Sequence, residues 1–594
     1  MKKQLPILTS NFATLIAGDG YYVDKTEFIP RLESLNYPNI FFLRPRRFGK
    51  SLHLSMLEYY YGIQYKDKFT ELFGECYIGK PENFTPLKNS YYILNFNFSG
   101  IKTQEEDKIE KEFNSEISSQ ILSFLDTYSI GSESDSQIFR SELSSPDLMR
   151  KFFTVFKRFI PAGKIYILID EYDHFTNELF AFNKEHFKDI VSRNGWVRKF
   201  YETIKIYMGE GIVDRFFATG VTPVTLDSMT SGFNVAKNIT LSEEFHEMAG
   251  FTEAEVRSLI LGTIYSEGAF KVDEVIDEMR SWYNGSKFTT EPVEKLYNPQ
   301  LVISFLSEFK RNYEYPTKMA DINVISDYTK ITKILSVLPI EDSENIIEKV
   351  TTEDSILSEL TLQFNNEVPY TKSDAISLLF YNGLLTIEKN VYDFISFVIP
   401  NFVIKHLYWE FLRKKFEAEF GVRYEADEVI DLISELINEG RVDRLVAYTQ
   451  NIMKILSVRD FKGFGESQLK IMMLTILSKT NAYLIESERE TRAGFPDILL
   501  TDSKIFEVKY QYAFELKYIP QTGLKNLATI RKEGIEQLKK YKDSDQIKMI
   551  KNLKTFLIIF TTVSKRSLSK FSGFPENLPK GCLWHRFRQP TQTS

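Results

Sequence analysis

The sequence predicts an α/β protein in three parts: a parallel-sheet domain over residues 1–300, a mostly helical middle region over 301–455 and a smaller α/β domain over 456–575. A Pro-rich tail, 576–594, is expected to be loosely held. Three observations carry this. The apolar run Asn39-Ile-Phe-Phe-Leu43 leads through a cationic turn into Gly49-Lys50-Ser51 and an amphipathic stretch ending near Tyr61. A second apolar run, Lys164-Ile-Tyr-Ile-Leu-Ile-Asp-Glu171, ends in two adjacent carboxylates. Far downstream, Pro496-Asp497 is followed after a hairpin's length of chain by Glu515-Leu-Lys517.

A chain of 594 residues exceeds a single hydrophobic core, so roughly two to four domains are expected. With 43% hydrophobic and 26% charged residues it reads as an ordinary soluble protein. A formal net charge of −7 argues against coating nucleic acid over the whole surface, but permits a local basic groove. The two cysteines, Cys76 and Cys582, are too few for a disulfide framework, and the six histidines have no ligand spacing. Both facts suit a reducing cytoplasm. Polar residues interrupt the N-terminal stretch, and the longest apolar runs, such as Phe556-Leu-Ile-Ile-Phe560, are strand length, so neither a signal peptide nor a membrane span is expected.

The first observation has the strand, loop and helix order of a nucleotide-phosphate cradle, because backbone N–H groups and the positive helix end face the anion together. Lys50 would reach the β and γ phosphates of ATP, the Ser51 hydroxyl would hold Mg²⁺, and Arg46, Arg47, Phe48 and Gly49 would form the cradle. The standard spacing places a glycine at 44, where this chain has Arg44 and then Pro45, so the loop must begin differently. In the second observation, β-formers deliver acids to the carboxyl edge of a parallel sheet. Asp170 would join the Mg²⁺ shell, and Glu171 would orient or deprotonate the attacking water.

Between and beyond these motifs, Tyr91–Phe98 reads as a strand, 104–127 and 146–159 as helices, 183–209 as a helix, and Arg215–Gly220 as a strand. From 301 to 455 helical periodicity dominates, as in Val429–Ile437, with a small hairpin expected at Tyr381–Ile387.

Tyr21-Tyr-Val-Asp-Lys-Thr26, Arg44-Pro-Arg-Arg-Phe-Gly-Lys-Ser51, Ile169-Asp-Glu-Tyr-Asp173, Gly232-Phe-Asn234, Ala249-Gly-Phe-Thr252, Tyr283-Asn-Gly285 and Tyr297-Asn-Pro299 resemble the AAA-ATPase-like family whose members carry a C-terminal PD-(D/E)XK nuclease domain. The resemblance runs from about residue 5 to about residue 560, and Arg44 and Pro45 do not depart from it. It implies a P-loop ATPase domain followed by a restriction-endonuclease-like fold. It also implies a polar γ-phosphate sensor at Thr219 or Thr222.

In the C-terminal domain, alternation along a strand puts Glu515 and Lys517 on one face with Leu516 turned away. Asp497 from the neighbouring strand would join them, so that two carboxylates hold Mg²⁺ and the lysine orients or activates water for phosphodiester attack. Glu507-Val-Lys509 repeats the spacing and is a rival pair. The resemblance adds an acid on the preceding helix, Glu466 or else Glu488, and Gln537 on the following helix, beside Lys539, Lys540 and Lys542. The expectation is therefore an ATPase coupled to a Mg²⁺-dependent nuclease. Its substrate would be nucleic acid, DNA in preference to RNA, in defence or mobile-element processes, with homo-oligomerisation left open. The alternative is a nucleotide-gated binding module with an inactive nuclease fold.

Overall fold

A computed structural model describes residues 2–101, 106–174, 195–224, 236–319, 328–353, 355–364, 368–455, 465–487, 496–520, 525–561 and 582–586. The chain divides into two compact units. The first comprises Met1–Tyr313, Lys333–Leu338 and Leu357–Pro400, and the second Glu314–Thr332, Pro339–Ile356 and Asn401–Ser594. The stretch 301–455 is thus shared between them. No helix among the described residues is long and apolar enough to cross a membrane.

The first unit is built on strands β1 (Asn39–Leu43), β2 (Tyr92–Asn97), β3 (Ile165–Asp170), β4 (Val213–Gly220) and β5 (Lys237–Asn238). They pair in parallel in the order β2-β3-β4-β1-β5. Parallel neighbours need crossovers, which include the helices Lys50–Tyr61, Glu106–Thr127, Ser145–Phe159 and Trp196–Gly209. Both β1 and β3 are buried along their whole length, which is why they read as uninterrupted apolar runs. Phe42 lies opposite Thr219, and Ile169 opposite Ala218, so Asp170 falls level with Thr219 at the carboxyl edge. Register alone therefore brings the P-loop strand, the acidic strand and Thr219 into one row.

Arg44 explains why no glycine is needed at the start of the loop. Its backbone N–H donates to Gly220 O at 3.2 Å, extending the β1–β4 ladder by one residue. Its side chain is 1% exposed and lies between the rings of Phe42 and Phe288, at 4.4 and 4.3 Å. The guanidinium donates to the carbonyls of Leu43, Thr240, Phe245 and His246 at 2.8–3.2 Å. Burial pulls its pKa down to about 9, which leaves it charged at neutral pH. The curvature comes later in the loop, from left-handed backbone at Arg47 (φ 70°) and Gly49 (φ 87°). Arg44 is thus a structural pin rather than a phosphate ligand.

The short strand β6 (Ser355–Ser358) straddles the division between the units, and residues 357–400 of the first carry the helix Lys372–Tyr381 and an antiparallel hairpin, β7 (Thr386–Val391) and β8 (Phe394–Val398). The hairpin expected at 381–387 begins later, because Asn382-Gly383 ends the helix: the Asn382 N–H donates to Leu378 O, and Gly383 has φ 76°.

In the second unit, β9 (Tyr483–Ser487), β10 (Ile498–Asp502), β11 (Gln511–Ile519), β12 (Leu553–Thr561) and β13 (Cys582–Arg586) form a mixed sheet ordered β13-β12-β11-β10-β9. Only β11 and β12 run parallel, bridged by the helix Leu527–Asp543. That helix covers one face of the sheet, packing Leu538 and Tyr541 against Ile519, Leu557 and Ile559. Because side chains alternate, Glu515 and Lys517 share the face of Ile519, whereas Tyr512, Phe514 and Leu516 take the other.

Replacing Arg44 by Ala strands four carbonyls and opens a gap between two rings, so the loss of stability is expected to be on the order of 3 kcal/mol. Arg44→Lys should recover little, since an ammonium cannot fork to four acceptors. Thermal unfolding of the two variants tests this, and a near-native midpoint for Arg44→Ala would refute the pin.

Candidate functional site

The chain leaves β1 into the cradle and enters the helix Lys50–Tyr61 through Gly49, whose φ of 87° suits only glycine. Lys50 is buried, and its Nζ donates to Pro45 O at 3.1 Å. Burial lowers its pKa, while the charges of Glu171, Asp170 and Asp173 pull it back up. The Ser51 side chain is hydrogen-bonded to Asp170. Burial raises the Asp170 pKa against the opposing pull of Ser51 and Lys50. Asp170 Oδ1 and Thr219 Oγ1 are buried without a hydrogen-bond partner among the described residues.

A cavity of about 330 Å³ opens on this edge. Residues 47–53 and Glu171 form one wall, and Tyr21, Tyr22, Met248, Phe251 and Ile303 contribute to the other. The lining combines cations and helix-end N–H groups with apolar and aromatic surface, the mixture a mononucleotide requires. Arg46 is exposed and Arg47 half-buried, whereas the Phe48 ring packs edge-on against Phe288 at 5.4 Å.

Beyond β3 the backbone turns sharply. Glu171 takes a left-handed conformation (φ 50°), and its Oε2 lies 3.0 Å from His174 Nδ1. That contact, ahead of the opposing effect of burial, lowers the Glu171 pKa. Asp173 is 1% exposed and accepts from the backbone N–H groups of Val221 and Thr222 and from Thr222 Oγ1, at 2.6–3.1 Å. A Cβ on Gly220 would stand 2.2 Å from Asp173 Oδ1, so the close approach of β3 to β4 needs glycine there. Asp173 therefore staples the strand ends, and the Thr222 hydroxyl is engaged with it. Thr219 is the threonine that faces the acid row.

In the second unit, Asp497 sits just before β10, and its Oδ2 accepts the Leu516 N–H at 2.6 Å. This bond locks the start of β10 to the centre of β11. Glu515 is 2% exposed, and its Oε1 lies 2.9 Å from Lys517 Nζ. Glu466, first residue of the helix Glu466–Leu477, stands 3.5 Å from the same Nζ. Burial and then the charge of Asp497 push the Glu515 pKa up to about 7, against the pull of Lys517. Burial likewise raises Asp497. Glu466 and Lys517 line an open pocket of about 470 Å³ with Ile530, Glu533, Gln537 and Lys540, one stripe of the helix Leu527–Asp543.

Residues 6–230 match a family profile described as predicted AAA-ATPase, and residues 464–568 match the PD-(D/E)XK nuclease superfamily. The chain joins an AAA-ATPase-like domain to a PD-(D/E)XK nuclease-superfamily domain. It is also 26% identical over 405 residues to the "Uncharacterized protein in vnfD 5'region" of Azotobacter chroococcum mcd 1, a match spanning 65% of each chain.

Among the described residues, no three or more His, Cys, Asp or Glu side chains stand together as a ready-made metal cage. The PD-(D/E)XK site instead offers the oxygens of Asp497 and Glu515, and Glu515 Oε2 is buried without a hydrogen-bond partner among the described residues. Paired hard-oxygen donors with one spare acceptor fit a divalent cation that keeps several waters and completes its shell with substrate phosphate. In the AAA-ATPase-like domain, Asp170 and Ser51 form the corresponding pair.

Glu507 and Lys509, the rival of Glu515 and Lys517, are exposed in the connection before β11. Glu488 and Gly232-Phe-Asn234 lie outside the described residues. Sequence reasoning missed Arg44, Asp173 and His174 as parts of the first site. It also missed Lys470, 3% exposed, which donates to Thr352 O at 2.7 Å and lowers the Asp497 pKa by its charge. Asp173 and His174 lie one residue beyond the Asp-Glu pair and were within reach, but nothing local marks a lysine in an apolar helix as acting on a distant acid.

Because folding raises the Glu515 pKa from an ordinary 4.5 to about 7, its contribution favours the folded state below pH 4.5 and is lost as pH rises through 7. Glu515→Gln should therefore stabilise the second unit at pH 8 by on the order of 1 kcal/mol and give no gain at pH 4.5. Thermal melts at the two pH values measure this; equal melting of the two proteins at pH 8 would show that Glu515 is not so strained.

Proposed function

We propose that the chain is an ATP-hydrolysing protein coupled to a Mg²⁺-dependent nuclease that cuts nucleic acid, DNA in preference to RNA, in defence or mobile-element processes. The observation that carries the nuclease reading is the convergence of Asp497, Glu515 and Lys517, with a buried Glu515 oxygen left over beside them. Mg²⁺ bound there would polarise the phosphate and the attacking water. Lys517, held by Glu515 and Glu466, orients that water and carries positive charge toward the phosphodiester. Gln537 and Lys540 on the facing helix would steady the backbone of the strand being cut.

In the ATPase reading, Lys50 and the cradle would bind the phosphates, Ser51 and Asp170 would hold Mg²⁺, and Thr219 would read the γ-phosphate. Glu171 orients the attacking water. Arg46 and Arg47 neutralise phosphate charge at the rim. The aromatic and apolar wall of the cavity supports a base and ribose beyond the phosphates.

Purified protein incubated with DNA, ATP and Mg²⁺ should cut, and chelation should stop it. Lys517→Ala should lower cleavage by about a hundredfold or more, while Lys50→Ala should abolish ATP hydrolysis and leave metal binding at the nuclease site intact. Cleavage that survives Lys517→Ala removes the nuclease assignment. A calorimetric Mg²⁺ titration showing no site dependent on Asp497 and Glu515 would favour the nucleotide-gated binding module instead.

A further inference from the structure

His174 Nδ1 lies 3.0 Å from Glu171 Oε2 and 3.4 Å from an Nη of Arg46. A ring nitrogen carries either a proton or a lone pair, while a carboxylate only accepts and a guanidinium only donates. Nδ1 therefore serves Glu171 when it bears the proton, or Arg46 when it is bare, and cannot serve both at once. We propose that His174 is a positioning residue for ATP hydrolysis, orienting Glu171 once nucleotide phosphate draws Arg46 away from the imidazole. This rests on the ATPase reading above and names the residue that makes its water-orienting carboxylate depend on bound phosphate.

The surrounding backbone leaves little else to set the Glu171 side chain. Its left-handed φ is followed directly by two anchors, the Tyr172 N–H donating to Thr219 O at 3.0 Å and the Asp173 staple. The His174 N–H donates back to Glu171 O at 3.0 Å, closing a turn that presents the imidazole to the carboxylate. Glu171 lines the cavity, whereas Arg46 stands exposed on the cradle between buried Pro45 and cavity-lining Arg47. Phosphate oxygens are charged and accept guanidinium protons more strongly than a neutral imidazole does. A triphosphate in the cradle thus competes for Arg46, and the freed nitrogen takes up the N–H form that Glu171 needs. No proton is gained or lost by the ring as a whole, since it moves from one nitrogen to the other through solvent.

The test compares ATP turnover and equilibrium affinity for a fluorescent ATP analogue in the full chain, in Lys50→Ala, in His174→Ala and in His174→Asn. His174→Ala should lose about tenfold or more in kcat with affinity held within about twofold. His174→Asn places a permanent amide donor where Nδ1 stood and should recover most of that loss. The inference fails if His174→Ala turns over at the native rate, if Asn does not rescue it, or if affinity falls as far as kcat. Turnover that does not depend on Lys50 removes the ATPase reading and this inference with it. Lys50-dependent turnover indifferent to residue 174 removes this inference alone.

Discussion

A carboxylate withdrawn from water must find positive charge or hydrogen bonds, and both candidate sites are organised by how that demand is met. Asp170 and Glu515 each sit on a central strand and are pushed up in pKa by burial. Each has one compensating lysine and one oxygen left without a partner among the described residues. Lys50 answers the first acid and Lys517 the second, and neither lysine suffices. The remaining deficit is of the kind a hard divalent cation relieves, because such a cation replaces lost hydration with direct ligation. Asp173 shows the contrast: three donors from residues 221 and 222 satisfy it, so it staples the strand ends and adds only its charge to the field at Lys50.

The same contrast separates the arginines of the cradle. Arg44 is buried, with its Nη groups taken up by four backbone carbonyls and its face by two aromatic rings, so it is not placed to meet a phosphate. Arg46 is exposed two residues later, and its guanidinium meets the His174 imidazole nitrogen at 3.4 Å rather than a cluster of carbonyls. Adjacent positions of one basic run thus divide between scaffold and chemistry according to burial. A run of cations in a sequence carries no mark of which residue turns inward.

Much of the fold was legible because the decisive patterns are local. The buried parallel strands announce themselves as apolar runs at 39–43 and 165–170, and the helices 106–127 and 145–159 agree closely with their periodicity. Alternation along a strand, with β10 and β11 as neighbours, accounts for Asp497 beside Glu515 and Lys517, but the same spacing at Glu507 and Lys509 left a rival that alternation alone could not remove. What escaped depends on contacts far apart in sequence. Arg44 reaches Thr240 and Phe288, and β5 is two residues long and exists only because β1 leaves an edge to be paired. The Asn-Gly at 382–383 was ambiguous in principle, since the same pair serves a tight turn or a helix end, and the preceding apolar helix decides between them.

The end of the first unit follows from one glycine. Gly285 has φ 126°, and a Cβ there would stand 1.9 Å from Pro400 O, so the backbone at 400 lies directly on the turn after the helix Val272–Tyr283. Two residues on, Lys287 N–H donates to Thr386 Oγ1, and that hydroxyl donates back to Lys287 O, binding β7 to the same turn. Phe288 then carries the contact to the cradle through Phe48 and Arg44, and Gly383 packs against Pro45. The Tyr-Asn-Gly motif that ends at 285 thus leads into contacts that hold the 357–400 segment against the loop at 44–48.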